Sequence, residues 1–229
     1  MATTATPRPT ASKKKNQPQK STGTGLLIGI TVAMVAVGIL IVVLISGGDT
    51  PTTVTGANGQ KVSEFQNVKV DGKIEPMPEG GANDTEIGKA APTATGKDFA
   101  GNDVTLITRG TPTMIVFLAH WCPHCNAEAP LIVDWMKVNG NKGVDVVAVT
   151  TGSDSAKPNW PPSSWLANLG WGGRVLADSK DATLAQAYGL TGYPYIVFVD
   201  AQGNVTARMS GEKPIADIDA EIAKINPQT

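Results

Sequence analysis

Apolar residues in this chain gather into runs of different length and rhythm, and each rhythm predicts a different element. The longest, Gly25–Ser46, carries no charge and is rich in Leu, Ile and Val, so it is long enough to cross a bilayer as a single helix. Shorter runs follow much later. Thr113–Ala119 is a short apolar run with branched and aromatic members, which predicts a buried strand leading into the residues that follow it. Val144–Thr150 also reads as a strand and Val175-Leu176 as a short one, and Tyr195–Val199 is joined to Val205–Met209 by the turn residues Asp200–Asn204, predicting a hairpin. Helical spacing appears after Cys125. Leu131, Ile132, Trp135 and Met136 recur in step with Glu128 as far as about Val138, and Asn139-Gly140 ends the helix. Pro130 lies inside it, where it removes one hydrogen bond and favours a kink. Pro162–Leu169 and Ala182–Tyr188 predict short helices, and Ile215, Ile218, Ile222 and Ile225 mark one face of a closing helix.

Between the long run and the first strand, residues 47–86 are dominated by Gly, Thr, Asp, Asn and Pro, with scattered Val62, Phe65, Val68, Val70 and Ile74. That composition predicts a flexible linker, with the alternation at Val68-Lys69-Val70 as the one place for a short strand. The chain thus divides into a disordered basic head (1–24), a transmembrane helix (25–46), a linker (47–86) and one α/β domain (87–229). Strands alternating with helices predict a central mixed sheet with helices on both faces.

Charge orients this division. Arg8, Lys13, Lys14, Lys15 and Lys20 precede the long run with no acidic residue among them, which places the N-terminus in the cytoplasm and the domain outside. A cleaved signal peptide has a shorter apolar core, of about 7–15 residues. No Ala-x-Ala site or lipobox cysteine follows this run, so an uncleaved anchor is expected. Of 19 Lys and Arg, the 14 beyond the anchor face 20 Asp and Glu. An acidic exported part argues against nucleic acid as a partner.

Both cysteines of the chain fall in Trp121-Cys122-Pro123-His124-Cys125. A Cys-x-x-Cys pair at a helix start exposes its first sulfur to unpaired backbone N–H groups, which favour thiolate over thiol. Cys122 is the expected nucleophile and Cys125, one turn on, the resolving thiol. A zinc site needs about four ligands, and only His120 and His124 could join the pair. A structural bridge across two residues closes too short a loop to stabilise much. Confining both cysteines to one motif also suits an exported redox protein that must avoid stray pairing.

Trp-Cys-x-x-Cys after an apolar strand, the proline at 130 and Gly192-Tyr193-Pro194 before another apolar strand together resemble the thioredoxin fold, over roughly residues 86–226. Ile87–Pro92 and Asp98–Leu106 resemble the extracytoplasmic TlpA-like and ResA-like subfamily, which carries an extra N-terminal hairpin. The resemblance implies a bacterial plasma-membrane thiol-disulfide oxidoreductase whose only redox group is the Cys122–Cys125 disulfide, with no metal or other cofactor. It makes Pro194 a cis-proline that keeps the site open and lets the preceding backbone pair with an extended client. Glu128 falls where ResA-like proteins keep a functional glutamate, although a helix-face glutamate is also an ordinary solvated charge. Trp121, Gly192 and Tyr193 are expected to contact substrate. Expected partners are exported cysteine-containing proteins and a membrane redox protein that recycles the pair.

His124 pulls the other way, because Cys122-Pro123-His124-Cys125 matches the DsbA-like oxidases. An imidazole donating to the Cys122 thiolate stabilises the reduced form and makes the disulfide a stronger oxidant, so an oxidising or isomerising role is favoured over reduction of exported thiols of the cytochrome c maturation type. His120 is expected at a surface or edge. A copper or client-binding module of the same fold is the non-enzymatic alternative, but a carrier would add a distant His and none follows His124. A peroxidase motif is absent, because Ile115 and Ala119 stand where its Pro and Thr belong.

Overall fold

The computed structural model describes residues 53–55 and 61–226. Ten strands and four α-helices follow one another in it: β1 Thr53–Thr55, β2 Lys61–Ser63, β3 Lys69–Asp71, β4 Thr93–Lys97, β5 Asp103–Thr105, β6 Thr113–Leu118, α1 Pro123–Asn139, β7 Asp145–Thr150, α2 Pro162–Leu169, β8 Arg174–Ala177, α3 Thr183–Ala187, β9 Tyr195–Val199, β10 Val205–Ser210 and α4 Ile215–Ile225. β1 and β2 pair with each other, and the other eight strands form one mixed sheet in the order β10-β9-β6-β7-β8-β4-β3, with β5 on β4. β6, β7 and β8 run parallel, whereas β9 is antiparallel to β6 and β10 to β9.

The absence of polar alternation in the central strands has a direct cause. Along β6, Met114, Val116 and Leu118 pack on one side with α1, α2 and α4, while Ile115 and Phe117 pack on the other with Leu184, Tyr188 and Tyr195. Both faces of the strand are dry, so every position from Met114 to Leu118 is apolar. α1 begins with Pro123 at its first turn and ends at Gly140, whose φ of 60° and N–H to the Met136 carbonyl form a left-handed cap. Pro130 sits inside α1 as expected. The β9–β10 turn is fastened by Asp200, whose carboxylate accepts the Gln202 and Asn204 N–H groups.

Residues 63–86 depart from the flexible linker expected of them. β3 pairs with β4, at the Val68–Val70 alternation. Ile74 is buried in the second core cluster, and its N–H bonds to the Ala187 carbonyl. Buried Glu64 accepts the Ser163 N–H at 2.9 Å and so caps α2 from 99 residues away. Farther on, Asp84 and Arg208 form a buried ion pair that the Tyr195 hydroxyl joins. Contact is so close at Gly189 that a Cβ there would lie 2.4 Å from the Glu75 carbonyl oxygen. Each of these residues binds a distant partner, which composition and periodicity do not register.

The head and the membrane helix expected at 1–24 and 25–46 lie outside the described residues. Among the described residues no helix is long and apolar enough to cross a membrane.

Candidate active site

β6 runs straight into the turn Ala119-His120-Trp121, and Cys122 is the residue that caps α1, with extended backbone. The Cys122 N–H returns to the Ala119 carbonyl and the Asn126 N–H takes the Cys122 carbonyl, which fixes the turn that carries the sulfur. Both cysteines are free thiols. Cys125 is fully buried and its sulfur accepts the Ala119 N–H at 3.5 Å, whereas Cys122, also buried, keeps 6% of its surface accessible and its thiol points to the Tyr193 carbonyl at 3.9 Å. Burial pushes the Cys125 thiol far above its ordinary range, and the neighbouring Cys122 and Glu128 add to that. The two sulfurs are therefore unlike: both are buried, but Cys122 keeps a little accessible surface and Cys125 keeps none, so burial holds the Cys125 thiol in its protonated form.

The Tyr193-Pro194 peptide is cis, in agreement with expectation, and brings the Tyr193 carbonyl to Cys122. Trp121 donates from Nε1 to the Gly152 carbonyl at 2.7 Å and stands edge-on to the Tyr193 ring, with centroids 5.8 Å apart. A Cβ at Gly192 would lie 3.1 Å from Ser210 Oγ, and Pro123 occupies the first helical position. Trp121, Pro123, Tyr193 and Pro194 thus lie beside the cysteine pair or next to a residue that touches it, whereas neither cysteine comes within 4 Å of that Cβ position at Gly192.

Glu128 is no solvated helix-face charge. It is 1% exposed, its Oε1 accepts the Lys213 N–H at 2.6 Å, and its Oε2 finds no hydrogen-bond partner among the described residues. Burial raises its pKa to about 7; the Lys213 N–H opposes the rise and the Glu212 carboxylate adds to it. His124 departs from expectation in another way. Instead of serving Cys122, its Nδ1 meets Glu212 Oε1 at 2.5 Å on the exposed side of the helix. His120 is fully buried rather than at an edge, and both its ring nitrogens are engaged.

Glu212 and Lys213 had no signal in the sequence, because they reach the site only through the β10–α4 loop, and Lys213 lies 85 residues after Glu128. Asn126 was missed as well. It donates to the His120 and Cys122 carbonyls and accepts from Trp165 Nε1, tying the turn to α2. Among the described residues no cluster of three or more His, Cys, Asp or Glu could hold a metal ion.

Comparison with known proteins agrees with this geometry. The family model described as Redoxin matches residues 86–222. The thiol-disulfide oxidoreductase ResA of Geobacillus thermodenitrificans is 25% identical over 142 residues, covering 62% of this chain and 79% of the relative. A putative thiol:disulfide interchange protein DsbE from Chlorobium tepidum superposes with a TM-score of 0.53 at 23% identity, covering 61% of this chain and 96% of that one, and shows the shared fold. A putative thioredoxin from Neisseria meningitidis gives 0.51 at 26% identity, covering 61% and 91%.

Proposed function

We propose, for a chain that belongs to the Redoxin family and is a thiol-disulfide oxidoreductase, that Cys122 and Cys125 exchange disulfides with exported proteins at the outer face of the bacterial plasma membrane. The unequal burial of the two sulfurs carries the reading, since it assigns the more accessible Cys122 to attack and the fully enclosed Cys125 to resolution. In the reductive direction the Cys122 thiolate attacks one sulfur of a client disulfide, forms the mixed disulfide and expels one client thiolate. The Cys125 thiol then gives its proton to Glu128, and its sulfur attacks that of Cys122. This releases the second client thiolate and leaves the Cys122–Cys125 disulfide. The client gains the two electrons that the pair loses. A carboxyl with a pKa near 7 is suited to this transfer, because it can take and return a proton at neutral pH.

The oxidising direction rested on His124 serving the Cys122 thiolate. With that imidazole on Glu212 the support shifts to reduction, the activity class of a protein that keeps exported thiols reduced. Gly25–Ser46 anchors the chain with its basic head in the cytoplasm, and a membrane redox partner re-reduces the pair. Equilibrating the full chain with thiol buffers tests the direction. The reductase reading expects a reduction potential near about −270 mV, and a value near about −120 mV would return the protein to the oxidases.

A further inference from the structure

Residues 152–161 form a strap that joins β7 to α2, and the hold on this strap converges on one residue, His120. His120 Nε2 accepts the Asp154 N–H at 3.2 Å, and Nδ1 meets the Pro158 carbonyl at 2.7 Å. Since Nε2 accepts, the ring proton is on Nδ1, which donates to Pro158. The His120 carbonyl takes Asn159 Nδ2 at 3.0 Å, and the Trp160 ring stands edge-on to the imidazole at 5.7 Å. Asp154, Pro158, Asn159 and Trp160 are thus all fastened to a fully buried histidine two residues before the nucleophile. The strap also holds Trp121, through the Gly152 carbonyl and through Lys157, whose ammonium lies 5.9 Å from the ring centroid. Trp121 in turn packs on Tyr193, whose carbonyl receives the Cys122 thiol.

The exchange chemistry itself needs no histidine at position 120. We infer that His120 is a positioning residue for thiol exchange: as a neutral imidazole protonated on Nδ1 it fastens the 152–161 strap against Trp121, and the strap forms one wall of the groove in which a client disulfide meets Cys122. The inference rests on the thiol-exchange reading. Protonation would put a second N–H on Nε2, directly against the Asp154 N–H, leaving two donors without an acceptor. Burial opposes the charged form and lowers the pKa, while the Pro158 carbonyl and the Asp154 carboxylate favour it. The other charged group of the strap is Lys157; from α1 the ring turn is faced by the Asn126 amide and the two thiols. At neutral pH the strap is held, and strong acidification releases it.

The test is single-turnover reduction, by the full reduced chain, of a peptide with one internal disulfide, followed over peptide concentration. His120→Leu is expected to raise the half-saturating concentration about tenfold with the limiting rate changed less than about threefold. His120→Asn, whose amide can still donate to Pro158, is expected to recover most of that loss. Independently of any variant, ring nitrogen spectra of the wild-type chain at pH 7 are expected to show the neutral Nδ1–H tautomer, and acid titration to move the ring signal and Trp121 emission together. Unchanged half-saturation in His120→Leu, or a cationic ring at pH 7, overturns the inference while leaving exchange intact. Should His120→Leu fail to fold, the ring spectra and His120→Asn kinetics decide. A wild-type chain that reduces no peptide disulfide would instead remove the exchange reading itself.

Discussion

At the level of single residues, what surrounds each group decides its chemistry more than its place in a motif. Cys122 and Cys125 are three residues apart, yet only the second is sealed from solvent. Glu128 gives the clearest pH prediction. Its folded pKa near 7 stands above its ordinary 4.5, so the proton it binds stabilises the fold fully below about pH 4.5, and that contribution is lost as pH rises through 7. Glu128→Gln should therefore stabilise the protein at pH 8, by on the order of 1–3 kcal/mol in urea titration, while slowing release of the mixed disulfide by Cys125 about tenfold or more. A variant destabilised at pH 8, or with unaltered resolution, contradicts the proton-transfer role. His124→Thr makes the opposite kind of test. With the imidazole on Glu212 the reduction potential should move by less than about 30 mV, and a large fall would show that histidine supports the thiolate after all. The motif made Cys122, Cys125 and Pro194 legible in advance. It could not supply the state of Glu128 or the orientation of His124, because both depend on Glu212 and Lys213, which only tertiary folding delivers.

Among the elements, those whose own pattern carried the information formed where the pattern put them. β6, β7, β9 and α4 agree with the expected runs to within a residue or so, since their apolar faces alone determine burial. β8 is a residue longer at each end than Val175-Leu176, because ladder partners on β7 extend it to Arg174 and Ala177. Helix starts are stabilised by buried carboxylates outside the helix, one distant in sequence and one six to seven residues before the N–H groups it accepts. Buried Glu64 caps α2, and buried Asp178 accepts the Leu184 and Ala185 N–H groups at the start of α3. Glu64→Ala leaves the Ser163 donors without their acceptor and is expected to cost about 1–3 kcal/mol in chemical denaturation. An unaltered midpoint would mean that the cap contributes nothing.

Across the whole molecule, the segment before the family's matched region belongs to the fold. The Redoxin match begins at residue 86, but β3, Ile74, Glu64 and Asp84 all bind elements beyond it. A fragment starting at Asn83 should accordingly unfold at lower denaturant than one starting at Lys61, by several kcal/mol, and equal midpoints would return residues 63–82 to the status of a tether. The central claim concerns the order in which the sulfurs act. The most direct measurement incubates the full chain carrying Cys125→Ser, and separately Cys122→Ser, with a disulfide-bonded client peptide and resolves the products without reductant. The account predicts a stable one-to-one mixed disulfide through Cys122 in the first variant and none in the second. Trapping through Cys125 when Cys122 is removed would contradict it.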